Sequence, residues 1–350
     1  MKSGRLRIDR RLLTFALSAI ALMIALWMIP TEHMVSFPGS ATETAGMVLV
    51  NETPESPRGG RIMLTTVVSR EANALLYLVG GFYPRADLTP TAAYLRPGED
   101  LDDYMERTRQ MMRESQDLAK YVAFDRLGYE VAFEGEGVLV VSIRSDSLAL
   151  ETLQPGDVII EADGRPTSIT DDLLDVVGSR SPGDSMDLTF LRGNDGERRE
   201  HTAPVTLIES PDSPGSAIIG IGVTTEEPRF SFPREVSIDA GDIGGPSAGL
   251  AFTLALIDEL DGEESLVGDL DVACTGTMNV RGEVGPVGGV RLKAYAAERA
   301  GADVFMVPAD NYDDALEASV DLEVVAVETI DDALEYLRDR SFLESPVAGR

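Results

Sequence analysis

The stretch Gly241 to Gly249 reads Gly-Asp-Ile-Gly-Gly-Pro-Ser-Ala-Gly, and an apolar run from Leu250 to Leu260 follows it. Such a run, apolar on nearly every face, is the pattern of a buried helix. Ser247 therefore stands at a helix start, behind a loop of residues too small to crowd it. Gly244 and Gly245 let the backbone approach another chain closely. Backbone N–H groups at a helix start can stabilise an oxyanion. From this stretch alone, a nucleophile and a helix N-cap explain Ser247 about equally well.

A serine nucleophile needs a base. The chain has two histidines, His33 and His201, and neither lies in a local motif. Lysine occurs only as Lys2, Lys120 and Lys293, the remaining cations being arginine. Lys293 falls in the first turn of an expected helix, shortly after Gly288-Gly289. Lowering a lysine from about 10.4 to about 7.5 requires roughly 4 kcal/mol of preference for the neutral form. Burial supplies most of that, and the positive end of a helix dipole adds a little. A solvated surface lysine is the plain alternative, and the near-exclusive use of arginine elsewhere weighs against it.

The elements that would position these residues alternate. Val272–Val280 reads as a strand, Val290–Ala300 as a helix closed by Gly301, Val304–Val307 as a strand, and Ile330–Arg340 as a helix, an α/β pattern. Upstream, Arg61–Val68 reads as a strand and Leu101–Leu127 as a long amphipathic helix. From about Val131 the pattern turns to short strands and turns. Gly135-Glu136-Gly137 leads into the apolar strand Val138–Ile143, and Gln154-Pro155-Gly156-Asp157 turns into Val158–Ala162.

Residues 128–207 resemble a PDZ domain through Gly137-Val138-Leu139-Val140, Leu153-x-x-Gly156-Asp157-Val158-Ile159 and the Asp163-Gly164 turn. The resemblance implies that Gly137, Val138 and Leu139 receive a peptide C-terminus as an added strand, or that the module packs or gates without binding one. Gly245-Pro246-Ser247-Ala248-Gly249, Thr275-Gly276 and Gly282-x-Val284-x-Pro286-Val287-Gly288-Gly289-x-x-x-Lys293 resemble the proteolytic domain of Lon-type serine peptidases. That resemblance implies a Ser247–Lys293 dyad, with Thr275 contacting the lysine and backbone N–H groups near Gly245 and Ser247 forming an oxyanion hole. Met112-Arg113-Glu114-Ser115 resembles a further segment of the same domain, which makes the PDZ module an insertion. Many Lon proteins carry an aspartate three residues before the serine. Gly244 stands there in this chain, so any such role falls to Asp242.

Residues 12–29 are apolar and uncharged, long enough for a transmembrane helix, with Arg5, Arg7, Arg10 and Arg11 ahead of them. The basic flank implies a cytoplasmic N-terminus and an extracytoplasmic catalytic domain. The formal net charge of −30 disfavours nucleic acid as a partner. The single cysteine, Cys274, excludes an intrachain disulfide and a cysteine zinc cluster.

The expected fold is an α/β (α+β) Lon-type proteolytic domain with an inserted β-rich PDZ domain and one N-terminal transmembrane helix. Its parts are a tail over 1–11, the membrane helix over 12–29, and a tether with the first part of the Lon-like region over 30–124. The PDZ domain covers 125–208 and the proteolytic domain 209–345. The layout is similar to the YlbL group of membrane-anchored peptidases. No Gly-x-x-x-x-Gly-Lys-Ser/Thr motif occurs, which implies ATP-independent cleavage of unfolded or flexible proteins, without cofactor or metal. Lon-like rings make a homo-oligomer an expectation by analogy. An inactive, membrane-tethered PDZ adaptor is the competing expectation.

Overall fold

The computed structural model describes residues 10–50, 59–96, 98–193, 197–211, 213–262, 265–319 and 321–344, without the side chains of residues 10, 12, 13 and 341–344. The chain divides into two compact units. One combines the chain up to Tyr129 with the chain from Arg234 onward, and the other is Glu130–Pro233.

The first unit is built on a six-stranded sheet. Its order is Glu323–Val327, Val304–Pro308, Val272–Cys274, Ile62–Asn73, Pro30–Glu43 and Asp87–Pro90. The first four strands run parallel and the last two join antiparallel. The central strands Val272–Cys274 and Val304–Pro308 are short, apolar and wholly buried, as expected when both faces are covered. Alternation puts Met63, Ala273 and Phe305 on one face, where they pack against Val290, Ala294 and Ala297 of the helix Val290–Ala300. That helix carries Lys293 and is called the lysine helix below.

The helix Gly249–Asp261, which follows Ser247, is buried from Gly249 through Ile257 and again at Leu260. This serine helix packs on the Ile62–Asn73 and Val272–Cys274 strands and against the long helix Leu101–Arg126. The long helix starts with a capping box, in which Asp100 accepts from the Asp103 N–H and Asp103 accepts from the Asp100 N–H. Met112, Ser115, Ala119 and Val122 are its buried stripe at helical spacing.

Residues 30–43, expected as tether, form a 14-residue strand inside the sheet. Pro38 and Gly39 hide it in the sequence. The pairing absorbs them by a register shift between Pro38 and Ala41. A Cβ on Gly39 would stand 2.6 Å from the Thr66 carbonyl oxygen, so glycine is what lets the two strands meet there.

Before this strand runs the helix Arg10–Met28. Most of its described apolar side chains, among them Phe15, Leu22 and Trp27, are exposed. Among the described residues, no helix is long and apolar enough to cross a membrane. The helix takes in Arg10 and Arg11 at its start and stops at Met28, whereas the expected span ran from 12 to 29.

The second unit is an antiparallel sheet ordered Arg199–Thr206, Ser185–Arg192, Val158–Ala162, Val138–Ile143 and Ile221–Thr225, with the helix Thr170–Gly178 packed on it. Its core contains Val140, Ile159, Leu188 and Phe190. The buried Asp157 holds the tight turn, accepting from the Gln154 N–H at 2.9 Å and from Arg192 Nε at 2.7 Å. The unit ends later than the expected residue 208. Ile221–Thr225 pairs with Val138–Ile143, and Arg229–Ser231 with Ala132–Glu134, so the chain through Pro233 stays with this sheet.

Candidate active site

Ser247 lies just ahead of the serine helix. Ala248 occupies the N-cap position, and no side chain caps this helix. The hydroxyl of Ser247 is therefore not used in capping. The Ser247 backbone is held instead: its carbonyl accepts from the Gly276 N–H at 3.0 Å and from Thr275 Oγ1 at 3.3 Å. The preceding Pro246 carbonyl accepts from Ser115 Oγ at 3.0 Å. Gly249 must be small, because a Cβ there would come within 2.9 Å of the Met278 backbone nitrogen.

Lys293 projects from the first full turn of the lysine helix and is only 4% exposed. Among the described residues its Nζ makes one hydrogen bond, donated to Thr275 Oγ1 at 2.9 Å. Burial alone lowers its pKa from 10.5 to about 7. Among the described residues, no carboxylate pairs with it to restore the charge. Thr275 is fully buried, and its N–H donates to the Met306 carbonyl of the adjacent strand at 3.0 Å. Its hydroxyl proton is directed to Ser247 O, so Oγ1 presents a lone pair to Nζ. One N–H of the amine is thereby fixed, and the nitrogen lone pair is left for another partner.

Ser247 and Lys293 line one cleft of about 760 Å3. Leu64 through Ser69 form one wall of it. The parallel pairing of that strand with Val272–Cys274 ends at Leu64. Past that point, among the described residues, no strand pairs with this edge. The cleft therefore combines a half-buried hydroxyl, a buried amine and an open strand edge.

Comparison with known proteins bears on the same residues. Residues 236–339 match the Lon protease (S16) C-terminal proteolytic domain, and residues 125–204 match the PDZ domain. The chain carries a Lon-type serine peptidase domain and a PDZ domain. An archaeal Lon protease from Archaeoglobus fulgidus is 39% identical over 98 residues, covering 27% of this chain and 15% of the relative. A Lon protease from Methylocella silvestris is 37% identical over 150 residues, covering 42% of this chain and 17% of the relative. The chain thus matches only a minor part of the length of these relatives. The PDZ domain of an SdrC-like protein from Listeria monocytogenes is 27% identical, covers 25% of this chain and 87% of that one, and has a TM-score of 0.23.

The Lon-type domain brings Ser247, Lys293 and Thr275 together, and the other expected residues fare differently. Gly245 has a φ of +88° and open space where a Cβ would stand, so backbone conformation is what calls for glycine. Its N–H donates to the Thr108 carbonyl at 2.8 Å, which corrects the expectation that it serves an oxyanion hole. The Ser247 N–H has no protein acceptor among the described residues. Asp242 lines the cleft but is exposed and bonded to neither Ser247 nor Lys293. The loop is shaped instead by Asp239, whose Oδ1 accepts from the Gly241 N–H at 2.9 Å.

No histidine lines the cleft. His33 packs edge-on to Tyr77, and His201 stacks on Phe190 in the PDZ unit.

In the PDZ unit, Gly137, Val138 and Leu139 offer no free edge. Val138 and Leu139 pair with Ile159 and Val158 on one side and with Thr225 and Thr224 on the other. The Gly137 N–H donates to Ser168 O. A peptide cannot add as a strand there. The open edge of the sheet next to the helix Thr170–Gly178 belongs to Ile221–Thr225, whose Thr225 Oγ1 lies 3.1 Å from Thr170 Oγ1. Ser115 lies in the Met112–Ser115 segment that the sequence marks, but its partner, like that of Thr108, is not readable there, because the partners are 131 and 137 positions away (246 − 115 and 245 − 108).

Proposed function

We propose that this protein is an ATP-independent serine endopeptidase that cleaves unfolded or flexible segments of other proteins. The observation that carries this reading is the buried, uncompensated Lys293 beside Thr275, in the same cleft as Ser247. With its pKa near 7, the amine is largely neutral in mildly alkaline solution and can act as a base. Ser247 Oγ attacks the peptide carbonyl as its proton passes to Lys293 Nζ. The tetrahedral oxyanion is met by the Ser247 N–H. The ammonium of Lys293 then returns the proton to the leaving amine, giving an acyl-enzyme that water hydrolyses by the same proton route. Thr275 acts as a positioning residue throughout.

The substrate lies extended along the open edge at residues 66–69, which selects for unstructured chain. The absence of a nucleotide-binding motif from these 350 residues supports cleavage without powered unfolding. In the PDZ unit, we place peptide capture on the outer edge of Ile221–Thr225. The helix Arg10–Met28, with its exposed apolar side chains, attaches the chain to a lipid bilayer in an arrangement like that of the YlbL group. From the basic residues ahead of that helix, we further propose that the catalytic domain stands on the extracytoplasmic side.

Casein digestion by the parent and by Ser247→Ala, each with and without a serine-reactive phosphonate, tests the catalytic reading. Phosphonate-sensitive cleavage by the parent alone is expected. Equal cleavage by both proteins would overturn it.

A further inference from the structure

The helix Ala74–Phe82 plays no part in the cleft, yet it is the most apolar helix on the surface of its unit. Residues 72–84 contain no charge, in a chain with 60 acidic residues among 350. Leu78 is 46% exposed, Val79 50% and Phe82 87%. With Tyr83 these side chains line a shallow apolar depression of about 370 Å3. The opposite face is fixed: a Cβ on Gly80 would come within 2.9 Å of Val35 Cγ2, so this side is pressed onto the sheet. Tyr77 is braced by an edge-on contact with His33 at 4.9 Å. The helix is also capped, Asn73 Oδ1 accepting from the Leu76 N–H at 2.9 Å. The apolar display is therefore rigid.

We propose that Ala74–Phe82 is a second membrane-contact element, lying in the lipid interface and holding the catalytic unit against the bilayer surface. The inference rests on the membrane attachment of the helix Arg10–Met28 proposed above. The two helices pack against each other, and the Ala74 N–H donates to the Ile29 carbonyl at 2.8 Å, so the exposed apolar surfaces of both are continuous. Trp27, Tyr77 and Tyr83 supply the aromatic side chains that settle at a lipid–water boundary. An acidic protein surface is repelled by anionic headgroups, and this patch is where that repulsion is absent. A helix lying in the interface needs no spanning length.

The placement has a consequence for substrate. Asp87 lines the catalytic cleft. It follows Phe82 by five residues, so it lies within about 18 Å of it. The cleft thus opens close to the lipid surface and is suited to flexible segments that emerge from the same bilayer.

The test uses the full chain in lipid nanodiscs, with a nitroxide on Phe82→Cys, Ile20→Cys or Leu316→Cys. Cys274 is fully buried and stays unlabelled. Accessibility to oxygen and to a water-soluble nickel chelate is read for each label. A Phe82 label with an oxygen-to-nickel ratio at least about threefold above that of the Leu316 label is expected for a side chain in the interface. A Phe82 ratio equal to that of Leu316 overturns the proposal, as does dipolar broadening between Phe82 labels, which would mark a contact between two copies. The Ile20 label reports separately on the anchor. If Ile20 is in lipid and Phe82 in water, the second contact fails and the anchor stands; the reverse result removes the anchor and leaves the contact.

As an activity readout, Leu78→Asp with Phe82→Asp should lower cleavage of a bilayer-tethered tail about fivefold or more while casein cleavage stays within about twofold. Parallel losses on both substrates would overturn the consequence for substrate.

Discussion

The two units each present an unpaired strand edge to an extended peptide, and they differ in what stands beside it. In the Lon-type unit, residues 66–69 run along a cleft holding Ser247 and Lys293. In the PDZ unit, Ile221–Thr225 runs beside the helix Thr170–Gly178, with the hydroxyls of Thr170 and Thr225 bonded to each other. A strand edge recognises backbone and is indifferent to sequence, so either edge can hold a chain. Cutting needs a hydroxyl and a neutral amine at one edge, and the fold supplies them by burying a lysine without a counterion.

The largest effect on this contrast comes from the nucleophile. Ser247→Ala should lower casein cleavage by about three orders of magnitude or more, leaving the melting transition unchanged within error. Measurable turnover near the parent rate would erase the distinction between the two edges.

Lys293→Met should abolish cleavage to a similar degree and also stabilise the fold. Between pH 7 and 10.5 the unfolded chain binds a proton at this lysine and the folded chain does not. Stability contributed by this site therefore rises with pH across that window, and the parent is penalised toward its acidic end. Denaturant melts at pH 8 should show the methionine variant more stable by roughly 3 kcal/mol, with the gap closing toward pH 10.5. A gap independent of pH would mean that burial of the amine is not its source.

Thr275→Val removes the acceptor of the Lys293 N–H while keeping the volume. It should reduce kcat by roughly ten- to a hundredfold and displace the acid limb of the pH–rate profile, with KM little changed. A purely structural role would instead lower the amount of folded enzyme and leave that limb in place.

The smallest effect lies on the other edge. Val223→Pro should weaken binding of C-terminal peptides several-fold, because the Val223 N–H faces away from the paired strand and proline cannot donate to an added one, while casein cleavage is retained. Unchanged peptide binding would show that this edge is not used.

The reactive residues were legible in the sequence because they sit in short motifs. Pro246-Ser247 and Gly288-Gly289 with Lys293 each mark a helix start, and the scarcity of lysine singled out the base. The contacts of the supports were not legible. Ser115 stands in a segment that resembles the Lon-type domain and Thr108 in no motif, and only the fold brings both under the serine loop. The strand over residues 30–43 was hidden by Pro38 and Gly39, which break its alternation. The PDZ edge was misplaced for a different reason. Val138–Ile143 has the composition of a strand, but whether its edge is free depends on Ile221–Thr225, some eighty positions later. Local pattern specifies strands well and strand neighbours poorly.

The central claim is that Lys293 is neutral when it meets Ser247. Its direct test is a pH titration of the lysine side-chain nitrogens by NMR in 15N-lysine-labelled protein. Only three lysines are present, and Lys293→Arg identifies the signal of interest by its loss. The account predicts that this signal titrates at about pH 7, in step with the acid limb of kcat/KM. A Lys293 signal that stays protonated to pH 10 in active enzyme would contradict it.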